Sequence, residues 1–375
     1  MISESMAKEA SAKLHGIADN VETVIVGKRE QVELVVMSLI AQGHVLLEDL
    51  PGTGKTSLVS ALAKSVDCAF NRIQFTPDIM PSDVTGFSIY NQKTHDFEFR
   101  PGGVMSNLVL VDEINRASAK TQAALLEAME ERQVTVDGET HKLTEPFMVL
   151  ATQNPIEQYG TYPLPEAQLD RFLIKLSMGY PLLDEEVKVV LESKAAKARI
   201  HAIVTMDEIL RIRKLAEEVH VSVPVARYAV QVVTSTRSMK ECSCGASPRA
   251  SIALVALARA NALMRGRTYV MPDDIKYLAP YVLAHRITLT HEAKVSGRNP
   301  WDIIGAILDS VAVPTVSAAE MPEAATSQGV TLGRDVDAQP AAQPAAAEQP
   351  AVQQPVSSAD ESRSEVCCGF FRSER

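Results

Sequence analysis

Short apolar segments alternate with amphipathic segments between about residues 20 and 180. Between the first two of the apolar segments named below, apolar residues recur at helical spacing and predict a helix. Residues 118–133 predict another helix. Five apolar segments have the length and composition of buried strands: 44–48 (HVLLE), 72–75 (RIQF), 108–113 (LVLVDE), 147–153 (FMVLATQ) and 172–178 (FLIKLSM). Strands that alternate with helices predict an α/β fold, in which helices cover both faces of a parallel sheet.

Two polar-rich segments interrupt this alternation. Residues 86–102 and 133–143 have the pattern of β-hairpins, and the second contains Asp137-Gly138, a favourable tight-turn pair. We therefore expect two hairpin excursions from the sheet domain.

The strand pattern ends near residue 181. Six segments with helical periodicity follow: 184–197, 206–219, 224–239, 247–265, 272–283 and 300–311. From residue 314 the chain is rich in Ala, Pro, Gln and Glu, and has too few apolar side chains to offset the entropy cost of ordering. The sequence thus predicts a nucleotide-binding core at 1–182, a smaller all-helical lid domain at 183–313 and a disordered tail at 314–375.

Composition narrows the class of protein. The 375 residues are 46% hydrophobic and carry a net charge of −10, which argues against nucleic-acid binding through bulk electrostatics. The N-terminal segment lacks the apolar core of a signal peptide, and no apolar run approaches the ~18 residues of a membrane span. The five cysteines do not form a disulfide framework. We expect a soluble, cytoplasmic protein.

Residues 48–58, EDLPGTGKTSL, come close to the phosphate-loop pattern G-x-x-x-x-G-K-[ST]. Gly54, Lys55 and Thr56 fit the pattern, but Asp49 stands where it has its first glycine. The preceding strand and the following helix provide the context that the pattern requires. We expect backbone N–H groups of 52–56 to bind the β-phosphate, Lys55 to contact the β- and γ-phosphates, and Thr56 to bind Mg²⁺. Asp49 should turn away, because its carboxylate would repel a triphosphate.

Two acids end the third apolar segment. Asp112 and Glu113 follow LVLV, and the carboxyl ends of parallel strands are where such sheets bind ligands. Asp112 would hold Mg²⁺ through its water shell, and Glu113 would polarise the attacking water. The alternative is a pair of solvated acids at the start of a helix. A phosphate loop about 55 residues upstream favours the catalytic interpretation.

Two further polar residues follow later strands. Asn154 could orient the attacking water, although Asn-Pro is also a plain turn signal. Arg171 could be a surface partner of Asp170, or a transition-state residue supplied to a neighbouring subunit.

Five motifs stand in a fixed order along the chain: PGTGKT, LVLVDEINRA, ATQNP, LPEAQLDRF and GASPRA. Together they resemble the AAA+ ATPases, and specifically the MoxR family, over about residues 20 to 312. The resemblance implies that Asn154 is the sensor-1 residue, Arg171 the arginine finger and Arg249 the sensor-2 arginine of the lid. The nucleotide-binding residues are then expected to be Val26 and Gly27 at the adenine, with Pro51, Gly52, Thr53, Gly54, Lys55, Thr56 and Ser57 at the phosphates.

The resemblance also implies an assembly and a function. ATP would lie between subunits of a ring, a hexamer in our interpretation, with Glu113 acting in cis and Arg171 in trans; for Arg249 both arrangements stay open. The ring would hydrolyse ATP with Mg²⁺ and act as a chaperone or remodeller that matures partner complexes. A protein with a von Willebrand factor A domain is the expected partner. The hairpin aromatics are candidate contact surfaces, although at least half of them should pack internally.

Other functions use the same chemistry. One is an AAA+ motor subunit for a chelatase or a nucleic-acid process, although the acidic charge and the lack of a recognisable DNA-binding appendage disfavour nucleic acid. Another is a nucleotide-switched scaffold with little turnover, which would need neither Glu113 nor the arginine finger.

Overall fold

The computed structural model describes residues 2–49, 52–154 and 161–315. Pro51 and residues 316–375, most of the predicted tail, lie outside these ranges. The strands are β1 (Val45–Glu48), β2 (Phe70–Gln74), β3 (Gly86–Asn91), β4 (Asp96–Pro101), β5 (Leu108–Asp112), β6 (Gln133–Val136), β7 (Glu139–Lys142), β8 (Met148–Gln153), β9 (Ile174–Leu176), β10 (Cys242–Cys244) and β11 (Thr288–Leu289). The α-helices are α1 (Glu4–Glu22), α2 (Arg29–Ile40), α3 (Lys55–Ser65), α4 (Pro81–Thr85), α5 (Ala119–Glu131), α6 (Glu166–Leu169), α7 (Leu183–Arg199), α8 (Met206–Glu218), α9 (Val223–Ser235), α10 (Pro248–Met264), α11 (Pro272–Leu283), α12 (His291–Val295) and α13 (Pro300–Ser310).

A five-stranded parallel sheet forms the centre of the molecule, in the order β2-β5-β8-β1-β9. All five strands predicted from the sequence are in it, so the predicted α/β class is confirmed. β8 lies between β1 and β5. The segments that follow these three strands therefore meet at one edge of the sheet, where ligands bind in folds of this type.

Both faces of the sheet are buried. In β5, Leu108 and Leu110 belong to a core that includes α1, α2, α3 and several later helices. Val109 and Val111, on the opposite face, belong to a second core that includes α5. Since successive side chains of a strand point to opposite faces, burial on both sides requires the continuous apolar runs found in the sequence.

The two predicted hairpins are present as β3–β4 and β6–β7. Phe99 of the first stacks on His141 of the second, with ring centroids 3.8 Å apart. The expectation that at least half of the aromatics in the first hairpin pack internally is wrong. Phe87, Tyr90 and Phe97 are 45%, 48% and 70% exposed, respectively.

The six helices predicted after the sheet are also present, with two additions: the short helix α12 and a two-stranded ribbon. β10 and β11 form a small antiparallel ribbon, in which Cys242 is paired with Leu289. The lid is thus helical with a two-stranded ribbon. The ribbon was not predicted, because strands of two or three residues are too short to give a periodic signal.

The N-terminal helix α1 was not predicted. Ser3 caps it by accepting a hydrogen bond from the Met6 N–H, and Ala7, Ala10 and Leu14 are among its buried residues. The Ser11 hydroxyl donates to the Met264 carbonyl at 2.6 Å and so connects α1 to the end of α10. Small buried residues carry little apolar signal, which explains the omission. Within the described ranges, no helix combines the length and the apolar character that a membrane crossing requires.

Candidate functional site: a nucleotide pocket at the sheet edge

The loop between β1 and α3 has the geometry of a phosphate cradle. Gly52 and Gly54 have φ values of 88° and 87°, a left-handed conformation that glycine adopts without steric cost. A Cβ placed on Gly52 would meet no atom of the described chain within 4 Å, so the cradle is open. Helix α3 begins at Lys55, and its first N–H groups lack carbonyl partners within the helix. Such a helix start binds anions, and the loop therefore fits a phosphate group.

The loop faces a cavity of about 320 Å³. Its lining combines the loop with the carboxyl ends of four strands: Asp49, Gly52, Thr53, Gly54, Lys55, Thr56, Ser57, Arg72, Gln74, Asp112, Glu113, Thr152 and Asn154. Six predicted loop residues are thus brought together with the two acids and Asn154. Three lining residues were not predicted: Arg72, Gln74 and Thr152.

The Asp49 side chain is directed away from the cradle, as expected. Its carboxylate accepts hydrogen bonds from the Ser177 hydroxyl (2.9 Å), the Gly179 N–H (3.1 Å) and the Met178 N–H. The Asp49 carbonyl accepts a hydrogen bond from Lys55 Nζ at 3.1 Å. Asp49 therefore anchors the start of the loop to the chain that follows β9, and this anchoring explains how the loop tolerates an acid there.

Lys55 lies among negative charges in a partly buried position. Burial lowers the pKa of its amino group from the ordinary value, while the charges of Asp49, Asp112 and Glu113 act in the opposite direction. The three acids therefore favour the charged form of Lys55.

Asp112 is oriented by two donors from neighbouring strands. Arg72 Nε donates to Asp112 Oδ2 at 2.6 Å, and the Thr152 hydroxyl donates to Oδ1 at 3.2 Å. Asp112 and Thr56 both line the cavity, and oxygen ligands of this kind are what Mg²⁺ prefers. The described residues hold no cluster of three or more potential metal-ligating side chains. The donor set therefore fits a magnesium ion whose other ligands are water and phosphate, which is the usual arrangement for this ion.

Glu113 has an unusual backbone conformation and several polar neighbours. Its φ of 58° is in the left-handed region, which non-glycine residues rarely adopt. Gln74 Nε2 donates to Glu113 Oε2 at 2.8 Å, and Arg116 Nε lies 3.1 Å from the same oxygen. Sequence reasoning missed Gln74, since its relevance depends on β2 being the neighbour of β5.

The residues expected at the adenine lie beside the loop but outside the cavity lining. A Cβ on Gly54 would lie 3.6 Å from the Ile25 side chain, which places the segment before Val26 next to the cradle. Gly27 has a φ of 73°, and a Cβ there would overlap the Glu185 carboxylate of α7. Gly27 thus allows a close approach between this segment and the start of the lid.

The two predicted arginines contact the same acid. Among the described residues, neither arginine lines the cavity. Arg171 Nε is 3.1 Å from Glu130 Oε2, and Arg249 Nη2 contacts the other oxygen of the same carboxylate. Glu130 stands near the end of α5 and was not predicted, because nothing local marks it among the acids of that helix.

Asp170 pairs with the lid. Its Oδ1 accepts from Arg286 Nε at 2.7 Å, and its Oδ2 accepts from the Ser247 hydroxyl at 2.8 Å. Ser247 is the N-cap of α10, the helix that carries Arg249. Asp170 therefore fixes the position of that helix start relative to the core.

Comparisons with known proteins agree with this architecture. Residues 44–174 match the family described as "ATPase family associated with various cellular activities (AAA)", and residues 234–307 match the AAA lid domain. A crystal structure of a candidate ATPase from Cytophaga hutchinsonii has a TM-score of 0.77 to this chain at 40% identity, and the match covers 82% of this chain and 97% of that one. The fold is thus that of an AAA+ ATPase.

Full-length relatives narrow the family. The chain is 42% identical over 324 residues to Chaperone MoxR1 of Mycobacterium tuberculosis, covering 84% of this chain and 86% of the relative. It is 52% identical over 298 residues to the uncharacterized protein YeaC of Bacillus subtilis, covering 79% and 93%. The chain belongs to the MoxR family of AAA+ ATPases.

Proposed function

We propose that this protein hydrolyses ATP with Mg²⁺ in a ring, a hexamer by family resemblance, and acts in the cytoplasm as a chaperone that matures partner complexes. The observation that carries the hydrolytic part is one cavity in which a glycine cradle, Lys55, two acids and Asn154 converge. A nucleotide-switched scaffold would need the cradle but not the second acid.

Each residue has a chemical task in this proposal. The loop N–H groups and Lys55 bind the phosphates, while Thr56 and Asp112 hold the metal, whose charge would offset that of the phosphates. Glu113 accepts a proton from the attacking water, and Asn154 orients that water from the opposite side. Val26 and Gly27 contact the base.

A ring supplies the remaining positive charge. Arg171 and Arg249 share Glu130, and neither lines the described cavity. We assign Arg171 to the nucleotide of a neighbouring subunit, whereas Arg249 can act in cis or in trans. A transition-state arginine supplied by another subunit stabilises the charge on the transferring phosphoryl group.

Exposed aromatics support a role in contacting proteins. Phe87, Tyr90 and Phe97 present apolar area on the first hairpin, and aromatic residues are enriched in protein interfaces. The relative named Chaperone MoxR1 supports the same role. A partner with a von Willebrand factor A domain follows from family resemblance, and we expect no nucleic-acid partner for a chain of net charge −10.

The proposal is tested by measuring ATPase activity with and without Mg²⁺ over a wide range of protein concentration, with Glu113→Gln as the control. We expect specific activity to rise with concentration in parallel with ring formation by light scattering, and to be lost in the variant. Activity that is independent of concentration would count against the ring. Activity at background in both proteins, with ATP still bound, would instead favour the scaffold.

A further inference from the structure

Thr152 lies on the strand next to the two acids of the proposed ATPase site and bonds to both residues. It belongs to β8, and the register pairs its neighbour Ala151 with Val111 of β5. Thr152 is therefore level with Asp112, on the same face of the sheet. It is 3% exposed, so its hydroxyl has little access to bulk water.

The hydroxyl makes one hydrogen bond to each acid residue. It donates to Asp112 Oδ1 at 3.2 Å and accepts from the backbone N–H of Glu113 at 2.9 Å. A hydroxyl can do both at once, because it has one proton and two lone pairs. A valine of the same shape could do neither.

The bond to the Glu113 backbone has a particular consequence. Glu113 is in the left-handed region at φ 58°, where a side chain with a Cβ is strained. That conformation sets the direction in which the Glu113 carboxylate leaves the strand. A partner that holds the Glu113 N–H thus helps to determine where the carboxylate lies.

We propose that Thr152 is a positioning residue that orients the metal-binding acid and the water-activating acid together. The inference rests on the proposed ATPase function, but it concerns a cavity-lining residue to which that mechanism gives no task. Because Thr152 is two residues before Asn154, three polar groups of the site depend on the position of one strand end.

The decisive variants are Thr152→Val, which removes the hydroxyl, and Thr152→Ser, which keeps it. We expect Thr152→Val to lower kcat by about 10- to 100-fold, the range expected when a reacting group is misplaced by about 1 Å. The KM for ATP should change little, since the loop is intact. Thr152→Ser should restore most of the rate.

A second measurement does not depend on turnover. Calorimetric titration of Mg²⁺ into protein saturated with a non-hydrolysable ATP analogue should show weaker metal binding for Thr152→Val but not for Thr152→Ser. Binding of the analogue without Mg²⁺ should be the same in both, because Thr152 does not touch the loop.

Ser65→Ala is the matched control. The Ser65 hydroxyl is also fully buried and also makes one donated bond, to the Ala61 carbonyl at 2.7 Å, and one accepted bond, from Asn20 at 2.8 Å. It lies at the far end of α3, about 15 Å along the helix from the loop. We expect Ser65→Ala to match Thr152→Val in lowered thermal stability while it keeps the wild-type kcat and metal affinity.

The inference is overturned if Thr152→Val binds Mg²⁺ like Ser65→Ala, or if Thr152→Ser is as impaired as Thr152→Val. If wild type and Glu113→Gln are equally inactive, the proposed hydrolysis fails, and the calorimetry still decides the role of Thr152.

Discussion

Asp49 shows how one residue can depart from a motif and preserve its geometry. The generic phosphate loop has glycine at this position, yet here the carboxylate is held by three donors beyond β9. The sequence alone indicated that the acid should turn away, since it would otherwise repel phosphate. It could not indicate Ser177, Met178 and Gly179 as the partners, because they are close only in the folded sheet.

Replacing Asp49 with the glycine of the generic motif should therefore lower both stability and ATP affinity. Asp49→Gly should lower the free energy of unfolding by about 1–3 kcal/mol, since the buried Met178 N–H loses its charged acceptor. It should also weaken ATP binding, because the loop loses its anchor. Calorimetry with an ATP analogue and urea unfolding measure the two effects. Tighter ATP binding by the variant would contradict the anchoring role.

His44 makes the stability of the core depend on pH. It accepts a hydrogen bond from the Val149 N–H at Nδ1 and lies 3.0 Å from the Met129 carbonyl at Nε2. Burial lowers the pKa of its imidazole from 6.5 to about 4. Between these two values the unfolded chain binds a proton that the folded chain does not, so stability falls as the pH falls.

The expected slope is about 1.4 kcal/mol per pH unit for one proton, and the contribution levels off below about pH 4. Burial likewise lowers the pKa of His285, which adds to the effect in the same direction. Urea unfolding from pH 7 to 4.5 should give a shallower pH dependence for His44→Gln than for wild type. Parallel curves would mean that His44 is not the titrating group.

At the scale of elements, the contact between α6 and the lid depends on a buried ion pair. Arg286, whose side chain is 3% exposed, also donates to the Phe172 carbonyl at 2.6 Å and the Leu173 carbonyl at 3.0 Å. The Asp170 carboxylate neutralises it. Removing one member of a buried pair leaves an uncompensated charge, which is strongly destabilising.

We expect Asp170→Asn to lower the free energy of unfolding by about 3–5 kcal/mol in urea. The matched variant is Glu9→Gln, which breaks the exposed pair with Lys13 at 2.9 Å and should change stability little. Equal effects of the two substitutions would show that the junction is held by apolar packing alone.

The elements divide clearly into those that sequence reveals and those that it does not. Strands such as β5 are apolar on both faces, and that pattern is unambiguous. Helix α1 escaped prediction because Ala7 and Ala10 fill its contacts, and β10 because three residues have no period. At least half of the aromatics in the first hairpin were expected to pack internally, yet Phe97 and two others are exposed. The sequence does not distinguish a hairpin face that meets the protein from one that meets solvent.

At the scale of the whole molecule, the proposed ring requires Arg171 to complete the site of a neighbouring subunit, and this can be tested. An Arg171→Ala subunit retains Glu113, and a Glu113→Gln subunit retains Arg171. Each should be inactive alone, but a mixture should regain ATPase activity, since sites that combine an intact Glu113 with a neighbour's intact Arg171 are complete. ATPase rates measured across mixing ratios test this.

The control for that experiment mixes each variant with a subunit that carries both substitutions, which cannot form a complete site. No recovery in the mixture of single variants, with rings still formed, would remove the support for an arginine acting in trans. The sequence could raise this question for Arg171, but it could not indicate Glu130, the residue that Arg171 and Arg249 share, because Glu130 carries no local signature.

The bond from Ser11 to Met264 has a consequence for biosynthesis. These residues are separated by 253 positions along the chain, so a ribosome adding about 5–20 residues per second completes the pairing about 10 to 50 seconds after α1 has been made. During that interval, the face of α1 that packs against α10 in the folded protein lacks this partner. Helix α1 is made before α10, and it thus completes its packing only after the ribosome has passed Met264.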